Sequence, residues 1–201
     1  MSNREKLLEA ACVAFGQKGY EATSVDDLLA QVGVSPSNFY YHFDSKEALA
    51  LEVLETTFSR ARDRFAPILR DPGSTAVVKL ERLHDLFVER MRASGCAGGC
   101  PMGNLATELS DTNPRFRERI AGFFRECIEG IEGVVRQGVA SGELRADLDP
   151  RATAGLLFGA LEGLMLLSKS LKDIGPLEAG FRQAVGLLKR TRPAGNPTTG
   201  E

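Results

Sequence analysis

The stretch "VGVSPSNFYYHFDSKEAL", Val32–Leu49, decides the fold. Ser35 followed at once by Pro36 opens a helix. The serine oxygen takes an orphan N–H of the first turn, and proline at the first helical position lacks only an N–H that would go unpaired. Asn38, Tyr40, Tyr41 and His42 then crowd hydrogen-bonding side chains onto a helix that ends at about His42. Upstream, Ser24 with Asp27 three residues on opens another short helix, with Leu28, Leu29 and Val32 on its buried side and Gly33 at its end. Two short helices across the turn "QVGVS" form a helix-turn-helix, which lays its second helix in the major groove of DNA. The same pattern also arises as a plain corner between two helices of an all-α protein.

Outward from that core, helical spacing recurs and no run alternates long enough for a half-buried strand. Ser2 with Glu5 is a capping box for a first helix to about Lys18, with Leu7, Leu8, Ala11, Val13, Ala14 and Phe15 as its apolar stripe and Gly19 as its stop. Ser45 caps a long helix to about Leu69. Others are expected over about 75–92, with Val78, Leu83, Leu86, Phe87 and Met91 inward, from Pro101, from Pro114, from Pro150 and over about 177–189. The fold is thus expected to be all-α. An N-terminal three-helix domain (residues 1–46) would precede a helical effector-binding and dimerisation domain of about six helices (47–191), with a disordered tail at 192–201 rich in proline, glycine and threonine.

Composition narrows the function classes. The chain has 201 residues, of which 43% are hydrophobic and 26% charged, with a net charge of −2. No stretch approaches the roughly 18 uninterrupted apolar residues of a membrane span, so no membrane partner is expected. Four scattered cysteines fit a reducing, cytoplasmic setting better than a disulfide scaffold. The two histidines, His42 and His84, stand without a glycine-rich phosphate loop, a nucleophile elbow or an H-E-x-x-H pair. No enzyme and no cofactor is expected. Charge argues against nucleic acid, because residues 1–48 carry four basic side chains against seven acidic ones. A DNA binder would have to rely on local donors and helix dipoles, and a helical interaction module without DNA binding is the alternative.

The polar residues of the second helix suit DNA. An Asn side chain pairs with both N6 and N7 of adenine, while Tyr, His, Ser and Lys donate to phosphate oxygens, as do helix N-termini. The run Gly33-Val34-Ser35, Phe39-Tyr40-Tyr41-His42-Phe43, Ser45-Lys46-Glu47 and Leu49, with "FGQKGYEATSVDDLLAQVGVS" before it, resembles the DNA-binding domain of TetR-family transcriptional regulators. The resemblance covers residues 3–50. It implies DNA contacts at Ser24, Ser35, Pro36, Ser37, Asn38, Tyr40, Tyr41, His42 and Lys46, with Phe39 and Phe43 turned to the core. It also implies a homodimer, through a bundle of the last two helices, on a palindromic double-stranded operator, with release by an effector. The segment "ATAGLLFGALEGLMLL" is apolar around most of its circumference, which suits either a dimer face or a buried core helix.

The effector is read from "CAGGCPMGNLATELSD". Cys100 stands immediately before Pro101 at a helix N-terminus, where the dipole is expected to lower the thiol pKa. Cys96 lies four residues before it. A metal site would have to recruit His84, Cys127 or nearby carboxylates, and C-x3-C without a second tight pair is weak, so no metal is expected. A cysteine packed as a small hydrophobe is the plain alternative. "GCPMGNLATELSD" resembles a subgroup of these regulators with GC-x-x-x-N-x-x-x-E at this helix, some of which sense quinones, aldehydes or hypochlorite. The resemblance implies a sensing role for Cys100, Asn104 and a partner Lys169. The rival is a non-covalent hydrophobic ligand among Met102, Phe58, Phe65, Phe87, Phe123 and Phe124.

Overall fold

The computed structural model describes residues 1–190, and the expected disordered tail lies outside them. The described residues form nine helices: α1 Asn3–Gln17, α2 Val25–Val32, α3 Pro36–His42, α4 Lys46–Leu69, α5 Ala76–Ala93, α6 Pro101–Leu109, α7 Pro114–Ala140, α8 Pro150–Leu171 and α9 Gly175–Leu188. Caps decide where most of them begin. Ser2 and Ser24 each complete a capping box, and Ser35, Ser45, Thr75, Asn113 and Asp149 accept first-turn N–H groups. Proline stands in the first turn of α3, α6, α7, α8 and α9. Beyond the helices, one isolated antiparallel bridge joins Leu144 to Lys189, tying the α7–α8 loop to the end of α9.

Two hydrophobic clusters hold the chain. The first joins α1–α3 to the N-terminal half of α4, to α6 and to the start of α7, through Leu7, Phe15, Leu28, Phe39, Phe43, Leu49, Met102, Leu105 and Phe116. The second unites α5, α8, α9 and the rest of α7 around Leu80, Met91, Val135, Leu157 and Phe181. The helix-turn-helix therefore does not float on a linker. Its core continues directly into α6, which positions the site described below.

Two stripe assignments are corrected. Val13 is 42% exposed, because it falls off the Leu7–Ala11–Ala14 line that faces the core. Val78 is 40% exposed, and α5 instead buries Lys79, whose Nζ donates to Gln137 Oε1 at 2.7 Å, and His84. Leu86 and Phe87 are half-buried. Helix α8 is long and apolar enough to cross a membrane by length and composition, yet Arg151, Glu162 and Lys169 interrupt it and it packs along α7 and α9.

Candidate functional site

The surface expected to read DNA is built by alternation on one turn and a half of helix. Phe39 and Phe43, both fully buried, anchor α3 with their rings 5.8 Å apart. The residues between them are thereby thrown outward: Tyr40 is 59% and Tyr41 81% exposed. Large aromatic rings left in water at neighbouring positions want a partner. Ser24, Ser35, Pro36 and Ser37 are exposed at the starts of α2 and α3, and the Ser35 and Ser37 hydroxyls bond to each other at 2.9 Å. His42 is half-buried against Tyr41, their rings 4.9 Å apart.

Two of the expected contact residues are held differently. Asn38 is half-buried and its Oδ1 is shielded without a hydrogen-bond partner, so pairing with adenine requires the side chain to turn out. Lys46 places its Nζ 4.1 Å from the Tyr20 ring centroid, a cation–π contact. Tyr20, not singled out in the sequence reading, is the joint of the molecule. Its ring meets Phe15 edge-on at 5.4 Å and Phe116 of α7 at 5.7 Å. Its backbone N–H and that of Glu21 both donate to Glu108 Oε2, at 2.8 and 3.1 Å. Gly19, at φ +96°, turns the chain closely past that carboxylate.

Glu108 belongs to α6, and the other end of α6 is Cys100. The Sγ accepts the Gly103 N–H at 3.4 Å as the helix N-cap. Cys100 lines a cleft of about 350 Å³ with Gly99, Gly103, Asn104, Phe124, Glu162 and Lys169. The Lys169 ammonium donates to Asn104 Oδ1 at 3.5 Å, while Asn104 Nδ2 donates to the Gly98 carbonyl at 2.6 Å. The structure thus brings Cys100, Asn104, Phe124 and Lys169 together.

It separates the others. Cys96, at φ +57°, is buried in the second core, and Met102 is buried in the first. Phe65 and Phe87 pair at 5.5 Å along a different, smaller groove, and Phe58 stacks on Phe123 at 4.3 Å. His84 bonds the Leu177 carbonyl at 3.0 Å and stacks on Phe181, and Cys127 lines a second cleft, of about 560 Å³, between α4 and α7. His84 and Cys127, two of the residues that a C-x3-C site would recruit, are therefore elsewhere.

The expected lowering of the Cys100 thiol pKa is corrected. Burial and the nearby Glu162 carboxylate outweigh the Gly103 N–H and the Arg90 charge, and push the thiol up to about 12. Burial likewise raises Glu162 above the usual carboxylate range and lowers Arg90, whose guanidinium donates to the Gly99 carbonyl. Glu162, Arg90 and Gly103 were not singled out from sequence. One signal was available: Glu162 is a lone carboxylate in the long apolar run of α8.

Comparison with known proteins agrees with this geometry. Residues 7–53 match the family described as "Bacterial regulatory proteins, tetR family", and residues 76–184 match "Tetracyclin repressor-like, C-terminal domain". The chain is 28% identical to the HTH-type transcriptional repressor DhaR of Mycobacterium sp. (strain GP1), across 87% of this chain and 86% of that protein. It is 32% identical to the HTH-type transcriptional repressor KstR2 of Mycolicibacterium smegmatis, across 74% and 70%. The crystal structure of a regulatory protein TetR from Rhodobacter sphaeroides superposes with a TM-score of 0.85 at 26% identity, covering 92% of this chain and 97% of that one. With a helix-turn-helix exposing two adjacent tyrosines and a helical C-terminal domain behind it, the chain belongs to the TetR family of bacterial regulators and is a ligand-responsive DNA-binding transcriptional regulator.

Proposed function

We propose that the protein is a cytoplasmic repressor that holds a palindromic operator as a homodimer and lets it go when a small electrophile modifies Cys100. Residues 1–46 read DNA, with phosphate and base contacts from Ser24, Ser35, Pro36, Ser37, Tyr40, Tyr41, His42 and Lys46 and from Asn38 once its amide turns out. Residues 47–191 sense and dimerise. The observation that carries this reading is the two-ended role of α6: its first residue follows the cleft thiol, and its last turn grips the backbone of the α1–α2 loop. Nine residues span only about 13 Å, so an adduct that displaces the Cys100 end is felt at Tyr20 and Lys46. Support for the dimer comes from α8 and α9, where Leu156, Leu166, Leu167, Leu171 and Leu187 are 51–67% exposed in a single chain.

The test is binding to a fragment of the gene's own upstream region. Nanomolar binding that weakens steeply with salt, and that falls on Tyr40→Ala or Tyr41→Ala, supports the reading. No binding at low salt to any promoter fragment contradicts it. A non-covalent apolar effector is the second reading, favoured by the 560 Å³ cleft that Phe65, Phe123, Gly130 and Gly133 line between α4 and α7. It predicts release by a ligand that leaves every thiol unmodified.

A further inference from the structure

The cleft poses a chemical problem. A thiol pushed up to about 12 carries almost no thiolate at neutral pH, and the thiolate is the form that attacks electrophiles. Left to itself, Cys100 would be an inert residue in a cleft built around it. Glu162 is the group that resolves this. A Cβ added at Gly103 would lie 2.7 Å from Glu162 Oε2 and 3.4 Å from Cys100 Cβ, so the two side chains flank the one α6 position that has no side chain. Both groups line the same cleft. Among the described residues Glu162 belongs to no ion pair, and Arg90 turns its guanidinium to the Gly99 carbonyl instead. A carboxylate without an ion-pair partner, set beside a nucleophile in one cleft, has the placement of a general base.

We infer that Glu162 is the base that takes the Cys100 proton as sulfur adds to a small α,β-unsaturated carbonyl compound in this cleft. The inference rests on the proposed sensing role of Cys100 and assigns the residue that makes it reactive. In the step, the carbon–sulfur bond forms at the β-carbon and the C=C π pair moves to the α-carbon and carbonyl oxygen. The S–H bond breaks and its proton passes to a Glu162 oxygen, then on to the α-carbon. Nothing is oxidised or reduced, and the product is a thioether. Lys169, held by Asn104 on the same wall, is the cation available to the developing oxyanion. At about 350 Å³, with Phe124, Ala106 and Leu166 as apolar lining, the cleft selects small electrophiles.

A plain electrostatic neighbour would act in the opposite direction, and this makes the inference testable. The charged and titratable groups around the pair are Arg90 of α5, Lys169 of α8 and Cys127 of α7, with Arg64 acting on Arg90. If Glu162 only raises the thiol pKa by its charge, Glu162→Gln frees the thiolate and speeds alkylation at both Cys100 and Cys127. If it is the base, Glu162→Gln slows alkylation at Cys100 by about 10²-fold or more while Cys127 speeds up.

The measurement is site-resolved mass spectrometry of N-ethylmaleimide adducts between pH 6 and 9, on wild type and Glu162→Gln. In wild type the Cys100 rate is expected to level off within that range, whereas the Cys127 rate rises about tenfold per pH unit, as for a free thiol far below its pKa. This wild-type profile tests the inference without any variant. A Cys100 rate that climbs about tenfold per unit throughout, or one unchanged or raised in Glu162→Gln, overturns it while leaving Cys100 as the sensor. Absence of any adduct at Cys100 overturns the sensing role as well.

Discussion

At the scale of single residues, burial separates those that hold the fold from those that serve its function. Phe39 and Tyr41 are two positions apart on α3, one fully buried and the other 81% exposed. Phe39→Ala should cost about 3–5 kcal/mol in urea unfolding. Tyr41→Ala should shift unfolding by less than about 0.5 kcal/mol yet weaken operator binding about tenfold by fluorescence anisotropy, the size of one lost charge-assisted contact. The buried thiols make a separate prediction. Cys100 and Cys127 are both pushed up to about 12, so the folded state holds these protons more tightly than the unfolded chain does. Their contribution to stability is complete below the ordinary thiol value of about 8.5 and is lost as pH rises from there toward 12. The melting temperature should therefore fall above about pH 8.5, and less steeply in Cys127→Ser.

At the scale of elements, α6 is the helix that matters most, and most of it was legible in the sequence. Pro101 marked its start, "GCPMGNLATELSD" marked it as unusual, and Cys100, Asn104 and Lys169 do share one cleft. The sign of the Cys100 shift was not legible. Helix-dipole reasoning sees only the local backbone, whereas the opposing carboxylate arrives from α8, 62 residues along the chain. Glu108 was equally opaque, since nothing local says that its carboxylate will meet the amides of Tyr20 and Glu21. Glu108→Gln is expected to weaken that clasp. Hydrogen exchange at those two amides should then quicken about tenfold, in line with the ~1.5 kcal/mol of a hydrogen bond to a charged group, and operator release on Cys100 modification should become less complete. Elsewhere, a Cβ at Gly138 would lie within 2.6–2.8 Å of Leu144 and Ala76 side-chain atoms, where α5, α7 and the bridged loop meet. Gly138→Ala should destabilise by about 1–3 kcal/mol through overpacking, with DNA affinity of the folded protein unchanged.

At the scale of the whole molecule, the helix count, the order of helices and most boundaries could be read from caps and prolines, because those signals are local. What the chain joins across long distances could not. The first hydrophobic cluster runs without a break from α1 through α3 into α6 and α7, and Tyr20 sits where the helix-turn-helix domain meets α7. The exposed leucines of α8 and α9 support the proposed dimer. Leu167→Glu should yield a monomer in sedimentation, with operator affinity reduced at least a hundredfold, since one reading head loses its partner. The central claim is that chemistry at Cys100 releases DNA, and one measurement reaches it most directly. Operator-bound wild type and Cys100→Ser are each titrated with N-ethylmaleimide while anisotropy is followed and adducts are mapped. Wild type should release the operator in proportion to the Cys100 adduct, and Cys100→Ser should stay bound over the same range. Release from Cys100→Ser at the same dose, or full Cys100 modification with the operator still held, would contradict the account.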